Sequence, residues 1–321
     1  MKILTLAPAA LLCTATLALG ATEELKPERL PADVQFVLHL DVESLMSTDL
    51  GRLILETRHQ PGSDLGDLDE LETKLGIDFL RDVHAITLYQ NQGEEEPTVA
   101  LFATSLAVDN ALAAAGAEKR VQRVLEDGME LLLLKEDGES MVVYAHPPVG
   151  DRRTVVVASS KEKAMAAARV LRGQTPNHLS GGGKLQLTPA PGSFLYVSTG
   201  QLPDFMGGDD SPASHVLGLA QGIQVDLGEA GGFLTAHLAL LTEMPERARE
   251  VANIVQGFVS LGTLALRGEA EELMELLREL RVSSTGNEVA IDFRYASRRL
   301  VEILKSVESG SHGHYDEDED Y

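Results

Sequence analysis

The densest concentration of metal-capable side chains lies at the carboxyl end, where His312 and His314 stand two residues apart and Asp316, Glu317, Asp318, Glu319 and Asp320 follow Tyr315. Imidazole nitrogens beside carboxylate oxygens suit loose binding of a divalent cation, with His312, His314 and Asp316 as the candidate ligands. The plainer reading is a solvated, disordered acidic tail over 309–321, because a flexible segment must give up chain entropy to form any site. No EF-hand spacing accompanies these carboxylates, so a specific calcium loop is not implied. Acid–base chemistry has two further candidates, His39 and His237. Period-two alternation puts His39 on one strand face with Gln35 and Val37, opposite Phe36, Leu38 and Leu40. If that face lines a cleft, His39 serves as acid or base; otherwise Asp41 caps the next helix and both histidines are satisfied sheet residues.

The remaining motifs fail on their spacing. Gly181-Gly182-Gly183-Lys184 lacks the phosphate-loop frame, and Leu185 and Gln186 follow where a hydroxyl residue is needed. Gly228 to Gly232 lies in a loop between strands, with no parallel βαβ unit around it for a dinucleotide. The nearest approach to a nucleophile elbow, Gly138 to Val142, falls in a tight turn, and no His-Glu-x-x-His zinc motif occurs. No catalytic or cofactor-binding residue is assigned, and the chain reads as a non-enzymatic protein.

The elements that would hold any site alternate between strand and helix. An apolar strand at Gln35 to Leu40 leads through Asp41 into a helix with Leu45, Leu53 and Ile54. A polar helical stretch over 64–75 precedes strands at Val83 to Gln90 and Thr98 to Thr104. An Ala-rich helix is expected near Val108 to Val124, then strands at Glu130 to Lys135, Ser140 to Ala145 and Thr154 to Ala158. The helix Lys161 to Arg172 closes this half: Ser159 and Glu162 have capping-box spacing, Arg169 and Arg172 complement the dipole, and Gly173 suits a left-handed cap.

After a Gly- and Pro-rich linker at 174–191 the order repeats. Strands are expected at Phe194 to Ser198, Gly222 to Leu227 and Phe233 to Leu241, with a short helix near Leu202. A helix presenting Val251, Ile254, Phe258, Leu261 and Leu264 on one broad face breaks at Gly268 before Glu269 to Leu280. A hairpin around Gly286 and Asn287 and a helix with Leu300, Ile303, Leu304 and Val307 finish the folded part. The fold class is α+β: two similar halves, 21–173 and 192–308, of antiparallel sheet with helices packed on one face, resembling split βαβ units.

Composition narrows the setting. The chain is 44% hydrophobic and 24% charged, ordinary for a folded protein. Its net charge of −23 excludes nucleic acid and anionic membrane surfaces as partners, since both need clustered Lys and Arg. Met1 and Lys2, an apolar run through Leu19, and small Ala18 and Gly20 lay out a secretory signal peptide over 1–20, cut after Gly20. Thr5, Pro8, Thr14 and Thr16 dilute that run below a membrane anchor, and Leu12 is not the small residue that lipidation of Cys13 would want. Cys13 is the only cysteine, so a cut chain is free of thiol chemistry and disulfides, and its apolar core must hold it together.

With these residues in view, the chain resembles a broad group of uncharacterised exported bacterial proteins. Leu30-Pro31-Ala32-Asp33 leading into Phe36 to Leu45 carries the likeness, as does Val155 to Ser159 running through Leu171 to Gly173. These signatures are structural punctuation; they imply export to the periplasm or beyond and supply no activity. Two functions are therefore expected as alternatives: an interaction protein using the helices over 251–280, or an enzyme or small-ligand protein with a cleft between the halves.

Overall fold

The computed structural model describes residues 23–57, 72, 76–94, 98–118, 120–136, 139–200, 216, 218–266 and 271–311. Among them twelve strands pair into one antiparallel sheet. The first half supplies β1 (Val34–Asp41), β2 (Val83–Asn91), β3 (Val99–Ser105), β4 (Val121–Glu126), β5 (Met129–Glu136), β6 (Glu139–Ala145) and β7 (Arg152–Ala158). The second supplies β8 (Ser193–Thr199), β9 (Gly222–Ala230), β10 (Phe233–Leu241), β11 (Arg281–Thr285) and β12 (Glu288–Ala296). The order across the sheet is β11-β12-β10-β9-β8-β1-β2-β3-β7-β6-β5-β4, so the opening strands of the two halves, β1 and β8, meet at the centre. The expected α+β class with an antiparallel sheet and packed helices is the class observed.

Eight α-helices accompany the strands among the described residues: α1 (Val42–Met46), α2 (Asp49–Thr57), α3 (Phe79–Asp82), α4 (Val108–Ala115), α5 (Lys161–Leu171), α6 (Pro245–Ala265), α7 (Glu271–Arg278) and α8 (Ser297–Ser311). They divide between the two faces of the one sheet, where helices on one face of each half were expected. On the face that carries His39 and Val37, α5 buries Ala164, Met165, Ala167 and Ala168 against Leu101, Leu131, Tyr144 and Val156. On the far face α4 covers Leu132, Val143 and Val155, while α6 covers Ile223, Leu240 and Val289.

Several local features follow from named residues. Asp41 caps α1 by accepting from the Ser44 N–H at 2.8 Å, and α5 ends in a Schellman motif. There Gly173 takes φ 66° while Gln174 N–H reaches the Arg169 carbonyl at 2.8 Å. The N-cap of α5 is Ser160, whose hydroxyl accepts from Lys163 N–H at 3.3 Å, and not the Ser159 expected from its spacing to Glu162. The Ala-rich helix stops at Ala115 instead of reaching Val124, because β4 begins at Val121 and turns into β5 through Asp127 and Gly128 at φ 49° and 69°. An Asp-Gly pair with both residues left-handed is the two-residue turn that matches strand twist, and it outcompetes the helical tendency upstream. The helices expected over 64–75 and near Leu202, the break at Gly268, and the metal candidates His312, His314 and Asp316 lie outside the described residues.

Candidate functional site

One row of directly opposed residues crosses the whole sheet, one from each strand. Starting at the β4 edge it reads Val124, Leu131, Tyr144, Val156, Leu101 and Thr87, reaching His39 on β1. Beyond β1 it continues Tyr196, Asp226, His237, Asp292 and Arg281. Residues opposed in a ladder point to the same face, so these twelve side chains share the face that α5 covers. From Leu131 to Leu101 the row is apolar and buried, with Val156 and Leu131 at 0% exposure; past the buried Tyr196 it turns polar from Asp226 onward.

His39 marks the transition. The face that His39 shares with Gln35 and Val37 does not line an open cleft there: Val37 is fully buried and His39 is 5% exposed, because residues 23–30 and the linker fold across that part of the sheet. His39 Nδ1 pairs with Thr87 Oγ1 at 2.9 Å and its Nε2 with the Glu23 carbonyl at 3.0 Å, so both ring nitrogens are engaged. Burial holds its pKa below the usual histidine range, although the Glu23 carbonyl and the Asp41 carboxylate pull the other way. The Glu23 side chain is nearly buried and meets Lys26, Arg29 at 3.1 Å and Arg152 at 3.3 Å. Burial alone would raise its pKa; those three cations outweigh it and hold the carboxyl below its ordinary value. His39 is a structural residue that anchors the segment leading into β1.

His237 lies three strands away on the same face, about 14 Å by strand spacing, so the two histidines are not brought together. It borders a cavity of about 540 Å³ whose floor is the polar end of the row. His237 Nδ1 donates to Asp292 Oδ1 at 2.8 Å, since a carboxylate only accepts, and this fixes Nε2 as the nitrogen that faces other partners. Asp226, 5% exposed, accepts from the Ala190 N–H at 2.9 Å and from Gln224 Nε2 at 3.0 Å. The end of the linker, Ala190 and Pro191, walls one side; Glu279 and Arg281 wall the other. Gly228 is required beneath the linker, because a Cβ there would run into the Gly192 backbone. Among the described residues this cavity belongs to the second half and the linker, and not to a cleft between the halves. Thr235 and Ser193 line it too, but both hydroxyls donate to backbone carbonyls, which leaves no activated nucleophile.

A second surface is apolar. The first turns of α6 are buried through Ala248, Val251 and Ala252. From there to Leu266 the sequence holds no charged residue, and Ile254, Phe258, Leu261 and Leu264 are 40%, 42%, 63% and 62% exposed. Their spacing of four, three and three puts them on one stripe beside the buried face. Gly257 lies on the same stripe, and a Cβ there would meet nothing within 4 Å. Gly262 instead faces Leu277, on the side where α7 packs. Among the described residues no helix is long and apolar enough to cross a membrane, and no group of His, Cys, Asp and Glu is placed to hold a metal.

Fold and surfaces together define an α+β protein built on one twelve-stranded antiparallel sheet. No family model and no curated protein matches the chain. Among solved structures it is similar to crystal form III of TP0453, at 9% identity and a TM-score of 0.42, over 88% of this chain and 99% of that one. Crystal form I of TP0453 is similar at 11% identity and a TM-score of 0.37, over 89% of this chain and 98% of that one. Likeness at this level assigns no activity and no partner.

Proposed function

We propose that the chain is an exported, non-enzymatic interaction protein of the cell envelope that engages a protein partner through the outer stripe of α6. The observation that carries this reading is the uncharged run from Val251 to Leu266 with its four exposed large apolar side chains, in a chain of net charge −23. Water-exposed Leu and Phe at that density cost solubility unless a partner covers them. The net charge repels both an anionic lipid surface and a second copy, which favours a neutral or basic protein. Gly257 supports the same reading: an exposed mid-helix glycine costs about 1 kcal/mol relative to Ala, and among the described residues no neighbour requires it. It lets a partner backbone approach closely. Export rests on the Met1 to Gly20 layout. The two halves run outward from the central β1–β8 pair in corresponding strand order, β1-β2-β3-β7-β6 and β8-β9-β10-β12-β11, which supports an origin by duplication, with β4 and β5 added to the first.

The test is site-specific photo-crosslinking in the native host with the probe at Phe258 or Leu261, and at Leu125 on edge strand β4 as control. The reading predicts one discrete heterologous adduct from the α6 positions, lost on Leu264→Glu and absent from Leu125. An adduct of twice the chain's own mass, or equal labelling at Leu125, would contradict it.

A further inference from the structure

The polar cavity carries an inference independent of the α6 surface. On the opposite face of these strands Ile223, Leu240 and Val289 are buried against α6, so the strands are in the register their apolar residues demand. The polar row opposite is therefore held in place by the core and is not the product of a slipped strand. Charge along it is separated. Asp226 sits at one end, its carboxylate held by two neutral donors, and among the described residues no cation pairs with it. Arg281 stands three strands away at the sheet edge, and Arg294 lies in the adjoining row with its guanidinium stacked 3.5 Å from the Phe233 ring centre. Arg281 is directly opposite Asp292, yet Asp292 is committed to His237, and among the described residues neither guanidinium makes an ion pair.

We propose that this cavity binds a small zwitterion of the amino-acid or short-peptide kind, ammonium end toward Asp226 and carboxylate end toward Arg281 and Arg294. Strand spacing puts the two ends about 12–14 Å apart at the backbone, and long side chains reaching inward from both shorten the gap to the length of a short peptide. The guanidinium forks match a carboxylate in two hydrogen bonds. The floor carboxylate, already bonded twice, has lone pairs left for an ammonium. His237 Nε2 and Thr235 stand between them, where a peptide group would lie. A volume of about 540 Å³ is within the range of small-ligand pockets.

The experiment is titration calorimetry of the full chain with triglycine, repeated with N-acetyl-triglycine, triglycine amide, glycine and succinate. Triglycine is expected to bind saturably, and each blocked peptide to bind about ten- to hundredfold more weakly, the worth of one charge-assisted contact. Arg281→Ala with Arg294→Ala is expected to erase the difference between triglycine and its amide, and Asp226→Asn the difference from the acetylated form. Should Asp226→Asn fail to fold, the exposed arginine pair and the blocked peptides still decide the matter. Glycine is expected to bind more weakly than triglycine because it cannot span both ends. No saturable binding of any probe at millimolar concentration, blocked peptides binding as well as triglycine, or tighter binding by glycine or succinate would overturn the proposal.

Discussion

The same sheet face is a core in one half of the molecule and lines a polar cavity in the other. In the first half α5 and residues 23–30 press onto Leu131, Tyr144, Val156 and Leu101, with apolar contact from strand to helix throughout. In the second half the strands continue without a break in hydrogen bonding, but Asp226, His237, Asp292 and Arg281 replace the apolar side chains, and the helix that packs there, α6, lies on the opposite face. Continuous backbone pairing thus fixes the geometry of the whole sheet, while side-chain chemistry decides where it is sealed. The first half works as scaffold. The second carries the two surfaces proposed for binding, the polar floor on one side and the outer stripe of α6 on the other.

The largest effect expected from this contrast is on stability. Leu131→Ala, under α5, should cost about 2–5 kcal/mol, the range for emptying a fully buried leucine site. His237→Ala, in the same row, should change stability by no more than about 1 kcal/mol, because the side chain borders open space and gives up only its exposed contact with Asp292. Urea melts of the two variants check the pair, and equal losses would break the distinction between the halves.

A smaller, pH-dependent effect belongs to the boundary at His39. With its pKa held below the unfolded value of 6.5, the native form resists a proton that the unfolded chain accepts. The stability this provides is complete above that pH and declines as pH falls below it. Glu23, held below 4.5 by its three cations, adds stability that is present above that pH and is lost as pH falls through its depressed value. Melting midpoints measured from neutral to acid pH should therefore fall in two stages. His39→Gln should flatten the first stage while costing about 1–3 kcal/mol at neutral pH for the disturbed Thr87 and Glu23 contacts. The smallest expected change is a gain: Gly257→Ala should stabilise the chain by about 0.5–1 kcal/mol in the same melts. The added methyl should also weaken partner capture through α6.

Much of this fold was legible in the chain because its strands are bounded by turn signals and its apolar residues alternate. The hairpin at Gly286 and Asn287 forms where expected, as does the Asp41 cap. β4 was hidden by the alanines of 111–115, whose helical tendency masked the Asp127-Gly128 turn that in fact governs the segment. The cavity was harder to see. Asp226, His237, Asp292 and Arg281 are up to 66 positions apart (292 − 226), and only the register of four strands puts them in one row. The available signal was a polar residue at the midpoint of β9, β10 and β12, at Asp226, His237 and Asp292, in alternation with Ile223, Leu240 and Val289 on the opposite face; Arg281 opens β11. The environment of His39 depends on Glu23, sixteen residues earlier and outside any strand, which no periodicity within β1 can report.

Thiol labelling tests the central contrast most directly, because residues 23–321 contain no cysteine of their own. Single substitutions Val156→Cys, Thr235→Cys and Leu261→Cys place one probe in the sealed row, one over the polar floor and one on the α6 stripe. Native protein treated with a maleimide should label at 235 and 261 within the time that 156 stays protected until denaturant is added. Protection at 235 equal to that at 156 would mean the second half is sealed like the first, and would contradict the account.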